Sequence, residues 1–270
     1  MRISCIIPTC DRPELVLAAI HSALSQTLKP IEVIVVNNGR EKLTLPVDLN
    51  NQARVYNIVP YAGVAQARNF GAVMAAGDYL AFLDDDDLWP PEYLANVAEA
   101  IGAGARCVVS RLDQIVEGRQ TVLKNPHGLV NVAHLLVRNP GTGGPNVVIE
   151  RPLLFQVKGY DPKLPPSEDK GMILEVLLAG LPVVTLPNNP VIVGKQRGGF
   201  FLTSHIKLAE GIFQFTRKYG KIMSWRQYLY NWSKIFYYRY LGGRWWLLPA
   251  SAVSGLLAKF FSPFRAEDNR

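Results

Sequence analysis

The chain has 270 residues, 49% of them hydrophobic, enough to bury a full core as one large domain or two modest ones. No apolar run reaches the ~18 residues of a membrane-spanning helix, and three scattered cysteines, Cys5, Cys10 and Cys107, exclude a disulfide framework and read as thiols in a reducing cytosol. The net charge of +7 is lopsided: residues 195–270 hold 13 Lys and Arg against three acids, a net of +10, while residues 1–194 carry a net of −3.

Met1 to Pro8 has too short an apolar run for a signal peptide and reads as a first strand, Ile3 to Ile7. Asp11 then stands where a cap would for a helix with Pro13 in its first turn and Leu15, Val16, Ala19, Ile20, Ala23 and Leu24 on its apolar face. Ile31 to Val36 is a second buried strand, stopped by the turn signature Asn37-Asn38-Gly39, and Arg54 to Val59 a third. Helical spacing runs from Gly63 to Ala76. Strand–helix alternation to about residue 104 predicts a Rossmann-like, mostly parallel sheet flanked by helices, an α/β architecture. No G-x-G-x-x-G follows the first strand, so the dinucleotide fingerprint is missing.

The next stretch organises the rest. Tyr79 to Leu83 is an unbroken apolar run, the pattern of a strand buried on both faces, and it leads straight into Asp84-Asp85-Asp86-Asp87. Ligands of open α/β sheets collect at the carboxyl ends of such strands. Four adjacent carboxylates repel one another unless something neutralises them. A hard cation such as Mg2+ or Mn2+ does so with one or two carboxylates, waters and substrate phosphates. An acidic turn capping a helix that begins at Pro90-Pro91 is the other reading. Beyond it lie a helix from Pro91 to Ala103, a strand from Arg106 to Val116, a flexible loop from Asn139 to Pro145 leading into a strand from Asn146 to Glu150, a helix from Lys170 to Ala179 opened by Glu168-Asp169, and two late strands, Pro182 to Leu186 and Pro190 to Gly194. His21, His127, His134 and His205 show no metal-ligand spacing.

Ile6 to Pro13, Ser25-Gln26-Thr27, Glu32 to Gly39, Gly63 to Gly71, Phe82 to Asp87 and Glu168-Asp169 occur in an order and spacing that resemble glycosyltransferase family 2, the inverting sugar transferases with the GT-A fold. The resemblance covers about residues 2–195. It implies a GT-A catalytic domain over about 1–200, with a nucleotide-binding half to about 104 and an acceptor half from 105, followed by a helical basic and aromatic tail over 201–270. It also implies a nucleotide-sugar donor and a Mn2+ or Mg2+ ion. Asp86 would be the metal's direct carboxylate, and Asp84 would face the ribose or the metal's waters. Asp85 is expected beside the donor, Asp87 as the cap of the next helix, and Arg68 at the donor phosphates. Asp169 would be the general base, with Glu168 beside it on the acceptor side. Pro8, Thr9, Asp11, Arg12 and Asn38 lie on the strand ends that hold the nucleoside in the family. Two positions depart from the pattern. Cys10 stands where many relatives carry an aromatic residue that stacks on the base, and Asn38 where many carry an acid. Lys195, Gln196 and Arg197 read either as a loop closing over the diphosphate or as a basic linker.

Thirteen Trp, Tyr and Phe residues lie between Trp225 and Phe264, interleaved with Arg226, Lys234, Arg239, Arg244, Lys259 and Arg265. This composition suits an anionic membrane surface better than nucleic acid. Trp245 to Ala258 is too short to span and is interrupted by Pro249. The expectation is a cytoplasmic enzyme, peripheral at the inner face of the cell membrane, acting on a glycan or lipid-linked acceptor in bacterial surface polysaccharide synthesis. A polyprenyl-phosphate sugar synthase and a non-catalytic GT-A subunit are the alternatives.

Overall fold

The computed structural model describes residues 1–194, 204–243 and Ala252. The segment Lys195 to Arg197 and the tail aromatics from Trp245 onward lie outside these residues. In chain order the elements are β1 (Ile3–Thr9), α1 (Pro13–Leu24), β2 (Glu32–Asn37), α2 (Val47–Asn50), β3 (Ala53–Asn57), α3 (Val64–Met74), β4 (Tyr79–Phe82), α4 (Tyr93–Gly102), β5 (Cys107–Val116), β6 (Arg119–Lys124), α5 (Val132–Leu135), β7 (Val147–Glu150), α6 (Arg151–Gln156), α7 (Glu168–Leu178), β8 (Val184–Val193), α8 (His205–Tyr219) and α9 (Trp225–Leu241). They form one sheet in the order β3-β2-β1-β4-β7-β5-β6, with β8 also pairing to β5. The first four strands in this order are parallel, β7 runs antiparallel to both of its neighbours, and β8 is parallel to β5.

Successive side chains of a strand point to opposite faces, and here both faces are covered. Ile6, Ile34, Leu80 and Phe82 face α3, α7 and the helices beside them, whereas Cys5, Ile7, Val33, Val35, Ala81 and Leu83 face α1 and α4. That is why these strands read as unbroken apolar runs. Phe215 and Tyr219 of α8 complete the first of the two cores. Helix α9 is tied to the chain around α5 by Gln227 donating to Ala133 O, Asn231 to Leu136 O and Lys234 to Val137 O.

Several local expectations are corrected. Leu15 is 45% exposed, so the buried face of α1 is Val16, Ala19, Ile20 and Ala23. Asp11 does not cap that helix. It sits at φ 54°, and its carboxylate accepts from the Arg40 N–H at 2.7 Å, tying the end of β1 to the turn after β2. Asp87 does not cap α4, which begins only at Tyr93; its carboxylate instead accepts from the Gly194 N–H at 2.9 Å. The two late strands are one strand, β8, whose pairing with β5 jumps from Leu186 to Pro190. The Asn139–Pro145 loop is locked rather than flexible. Asn139 Oδ1 accepts from the Gly141 and Thr142 N–H groups, and buried Asn146 donates to Ser110 O and Gly141 O. Strand β6, entered through Glu117 and Gly118 at positive φ, has no counterpart in the sequence pattern because nearly all of it is exposed.

Candidate active site

The carboxyl ends of β1, β2 and β4 open onto one edge of the sheet, and the acidic turn occupies its centre. All four of its carboxylates are engaged. Asp84 binds Arg68 Nη2 at 2.6 Å. Asp85 accepts from Thr9 Oγ1 at 2.7 Å and from Arg12 at 3.0 Å. Asp86 shares the same Arg12 nitrogen at 3.0 Å, and Asp87 takes the Gly194 N–H. Burial lifts the Asp85 carboxyl to about 6, against the pull of Thr9 and Arg12. Burial likewise pushes Asp87 upward, and the neighbouring aspartates add to it.

Helix α7 begins on the other side of the same edge. Its first residues, Glu168 and Asp169, point back at Arg68, which reaches Asp169 Oδ1 at 2.7 Å and Glu168 Oε1 at 3.6 Å. One guanidinium therefore joins two acidic groups far apart in sequence. The Arg68 side chain is only 3% exposed and lies over the Tyr160 ring, 5.2 Å from its centroid. Burial pushes Asp169 above the ordinary carboxylate range, with Arg68 opposing, Glu168 and Asp84 adding, and the Gly144 backbone N–H favouring the ionised form. Glu168 is raised by burial in the same way. Among the described residues, Glu168 Oε2 and Arg68 Nε are buried without hydrogen-bond partners.

Thr9, Arg12, Asp85 and Asp86 are thus brought together, as are Arg68, Asp84, Glu168 and Asp169. Two of the expected site residues are engaged by the protein itself. Arg68 is buried and spends its fork on Asp84 and Asp169. Asn38 is buried; its amide donates to Thr9 O at 2.7 Å and accepts from the Gly63 N–H at 3.0 Å. Pro8 is buried within β1. Asp11 borders the edge, where Tyr61 hydrogen-bonds to it.

Two residues were missed. Tyr61 is 63% exposed at φ 56° next to Asp11 and Cys10, so it offers a ring at the position where Cys10 lacks one. No sequence signal marked it. Gly144 presses on the Arg68–Asp84 pair so closely that a Cβ would overlap the guanidinium. The Gly-Thr-Gly-Gly run was its signal, read only as looseness.

Asp84 and Asp86 suit a hard divalent cation. Both are oxygen donors at the rim of the edge, 28% and 14% exposed, and Mg2+ or Mn2+ takes one or two carboxylates and completes its shell with phosphate and water. Among the described residues no cluster of three or more such ligands exists, so a phosphate-bearing ligand would have to supply the remainder.

A model of glycosyl transferase family 2 matches residues 4–146. An uncharacterized glycosyltransferase of Haemophilus influenzae is 27% identical over 182 residues, covering 65% of this chain and 62% of that protein. The UDP-Glc:alpha-D-GlcNAc-diphosphoundecaprenol beta-1,3-glucosyltransferase WfaP of Escherichia coli is 34% identical over 99 residues, covering 35% and 39%. The matched region spans less than two thirds of the length of these relatives. Among solved structures, the mannosyltransferase PcManGT of Pyrobaculum calidifontis with GDP-Man and Mn2+ superposes with a TM-score of 0.64 at 18% identity, covering 99% of this chain and 77% of that one. Staphylococcus aureus TarS 1–349 with UDP-GlcNAc gives 0.61 at 15%, covering 88% and 81%. The fold is that of the GT-A glycosyltransferases.

Proposed function

The chain belongs to glycosyl transferase family 2, and from its geometry we propose that it is an inverting, metal-dependent glycosyltransferase, moving a sugar from a nucleotide donor to a hydroxyl of a lipid-linked glycan. The observation that carries this is the Arg68 bridge, which sets Asp84 at the end of β4 and Asp169 at the start of α7 against one side chain. Donor-side and acceptor-side carboxylates then meet at a single residue. The diphosphate-linked acceptor named for the Escherichia coli relative supports the acceptor class.

Thr9, Asp11, Arg12 and Asp85 hold the nucleoside end of the donor, with the Tyr61 ring against its base. Asp84 and Asp86 would hold the cation. When bound, that ion acts as a Lewis acid on the departing diphosphate. Asp169 receives the acceptor hydroxyl's proton while the oxygen attacks the anomeric carbon from the face opposite the nucleotide. Its raised affinity for a proton makes it a stronger base than an exposed aspartate. Arg68 fixes its orientation.

Among the described residues no helix is long and apolar enough to cross a membrane. Trp225, Tyr228 and Tyr237 of α9 are exposed, and we place α9 at an anionic membrane surface, as interfacial Trp and Tyr favour. Cosedimentation with phosphatidylglycerol vesicles tests it, and equal recovery in the supernatant with and without vesicles overturns it. The transfer reading is tested by nucleotide-sugar turnover with Mn2+. Asp86→Ala and Asp169→Asn should each lose at least about a hundredfold in kcat. A wild type inert across nucleotide sugars, or an Asp169→Asn variant as fast as wild type, defeats it.

A further inference from the structure

We infer that Lys124, Arg138, Lys170 and Lys234 form a second anion site beside Asp169, built for the diphosphate that links an acceptor sugar to its lipid. This rests on the transfer reading above and names the part of the acceptor that the site grips.

The four cations come from four different parts of the chain: β6, the turn after α5, α7 and α9. Lys170 directly follows Asp169, is 5% exposed, and holds its Nζ 3.4 Å from the centroid of the Phe215 ring. Lys234 donates to Val137 O at 2.9 Å and lies 5.7 Å from the Tyr230 ring, over which Arg138 also sits at 5.8 Å. Among the described residues, no carboxylate pairs with Lys170 or Lys234. They face like charge instead. Burial lowers the Lys170 proton affinity and Lys234 lowers it further, while burial, Arg138 and Lys124 bring Lys234 down to about 8.

This is the reverse of the donor side, where Arg68 and Arg12 already neutralise the carboxylates. A buried ammonium without a counter-ion is costly, and a ligand that supplies the negative charge removes that cost. A diphosphate fits, because it brings several acceptor oxygens to several point-charge donors at once.

Position favours the acceptor's diphosphate over the donor's. A Cβ on Gly141 would stand 2.7 Å from Lys124 Cβ, so that end of the locked loop lies on the basic cluster. Three residues later Gly144 offers its N–H to Asp169. Three residues reach at most about 10 Å, the scale of one sugar ring with its anomeric substituent. A sugar with its hydroxyl at Asp169 therefore carries its diphosphate into the cluster, away from Asp84 and Asp86.

The test needs neither the sugar's identity nor turnover. Calorimetric titration of the full chain with dodecyl diphosphate, in the presence of a metal chelator, should show saturable binding. Lys124→Gln and Lys234→Gln should each weaken it by roughly tenfold, the loss of one charge-assisted contact, and Asp84→Asn should not. Dodecyl maltoside should bind far more weakly, and phosphatidylglycerol vesicles should not displace the diphosphate. Lys124 is exposed, so its variant carries the test if Lys234→Gln fails to fold. Absence of binding, equal binding by the lysine variants, loss on Asp84→Asn, or full displacement by the vesicles overturns the site, the last by assigning the cluster to bulk lipid headgroups. If dodecyl diphosphate binds as described but no nucleotide sugar is ever turned over, the anion site stands and the transfer reading falls.

Discussion

Gly144 occupies a place where no side chain fits, because a Cβ would overlap Arg68 Nη2 and stand 2.6 Å from Asp84 Oδ1. Gly144→Ala should therefore push the guanidinium off both aspartates while leaving the distant core untouched. Displacement of reacting groups by about 1 Å costs on the order of a hundredfold in rate. We expect such a loss in kcat together with a lowered thermal midpoint; unchanged turnover would show that the loop yields instead. Arg68 itself should respond differently according to what replaces it. Arg68→Met leaves Asp84, Glu168 and Asp169 without their shared cation, and breaking a buried pair from one side costs about 3–5 kcal/mol. Arg68→Lys keeps the charge but loses the fork that reaches two carboxylates at once. Denaturant midpoints should then place Met well below Lys and Lys below wild type. Near-equal midpoints for all three would mean that the bridge contributes no more than a surface pair, about 0–1 kcal/mol.

At the scale of elements, the acidic turn is not a free loop but a strap between β4 and β8. Leu88 and Ile192 exchange backbone hydrogen bonds at 2.9 Å, Asp87 holds the Gly194 N–H, and Trp89 Nε1 donates to Pro145 O at 3.0 Å. Gly194 lies so close that a Cβ would overlap the Asp86 carbonyl oxygen. Gly194→Ala should move Asp86 and weaken binding of Mn2+ with a nucleotide diphosphate, read by titration calorimetry as a several-fold rise in Kd; an unchanged Kd would place the cation away from Asp86. None of this strapping was legible in sequence, because it joins residues between 56 and 107 positions apart. What was legible had a local cause. β1, β2 and β4 announced themselves because both of their faces are buried, and Asp84 to Asp87 and Glu168-Asp169 because acids gathered at element ends stand out. β6 is mostly solvent-exposed, so no alternation betrayed it. The Asn139–Pro145 segment has loop composition, and its rigidity comes from Asn146 and Ser110, which a composition argument does not weigh. The Arg68 bridge was half visible: the sequence marked all of its members but not their pairing, because contact between α3 and α7 is a fact of topology.

For the whole molecule, the acidic and the basic clusters carry charge of opposite sign, and each is held against its own repulsion. Asp85 has its carboxyl raised from 3.8 to about 6, and Asp87 and Asp169 are raised as well. Lys234 falls from 10.5 to about 8, and Lys170 is lowered too. The folded state binds a proton at Asp85 more readily than the unfolded chain does, so this group's stabilising effect is complete below pH 3.8 and lost as pH rises through about 6. The lysine works in the other direction. Lys234 stabilises fully above pH 10.5, and that effect is lost as pH falls through about 8. Asp169, raised to about 8, goes on losing its effect up to that value, so the protein without ligands should pass through a stability minimum near pH 8. Thermal unfolding measured from pH 5 to 10 without divalent metal should show a midpoint that falls to a minimum near pH 8 and then rises. Mn2+ with a nucleotide diphosphate should lift the minimum from the acidic side, since binding to the folded state alone raises the midpoint. Dodecyl diphosphate should lift it from the basic side, and Lys170→Met should do so without any ligand, because a buried charge facing like charge is replaced by an apolar chain. A midpoint that changes monotonically across the range would mean that the two clusters are screened by solvent and that neither is poised for a charged ligand.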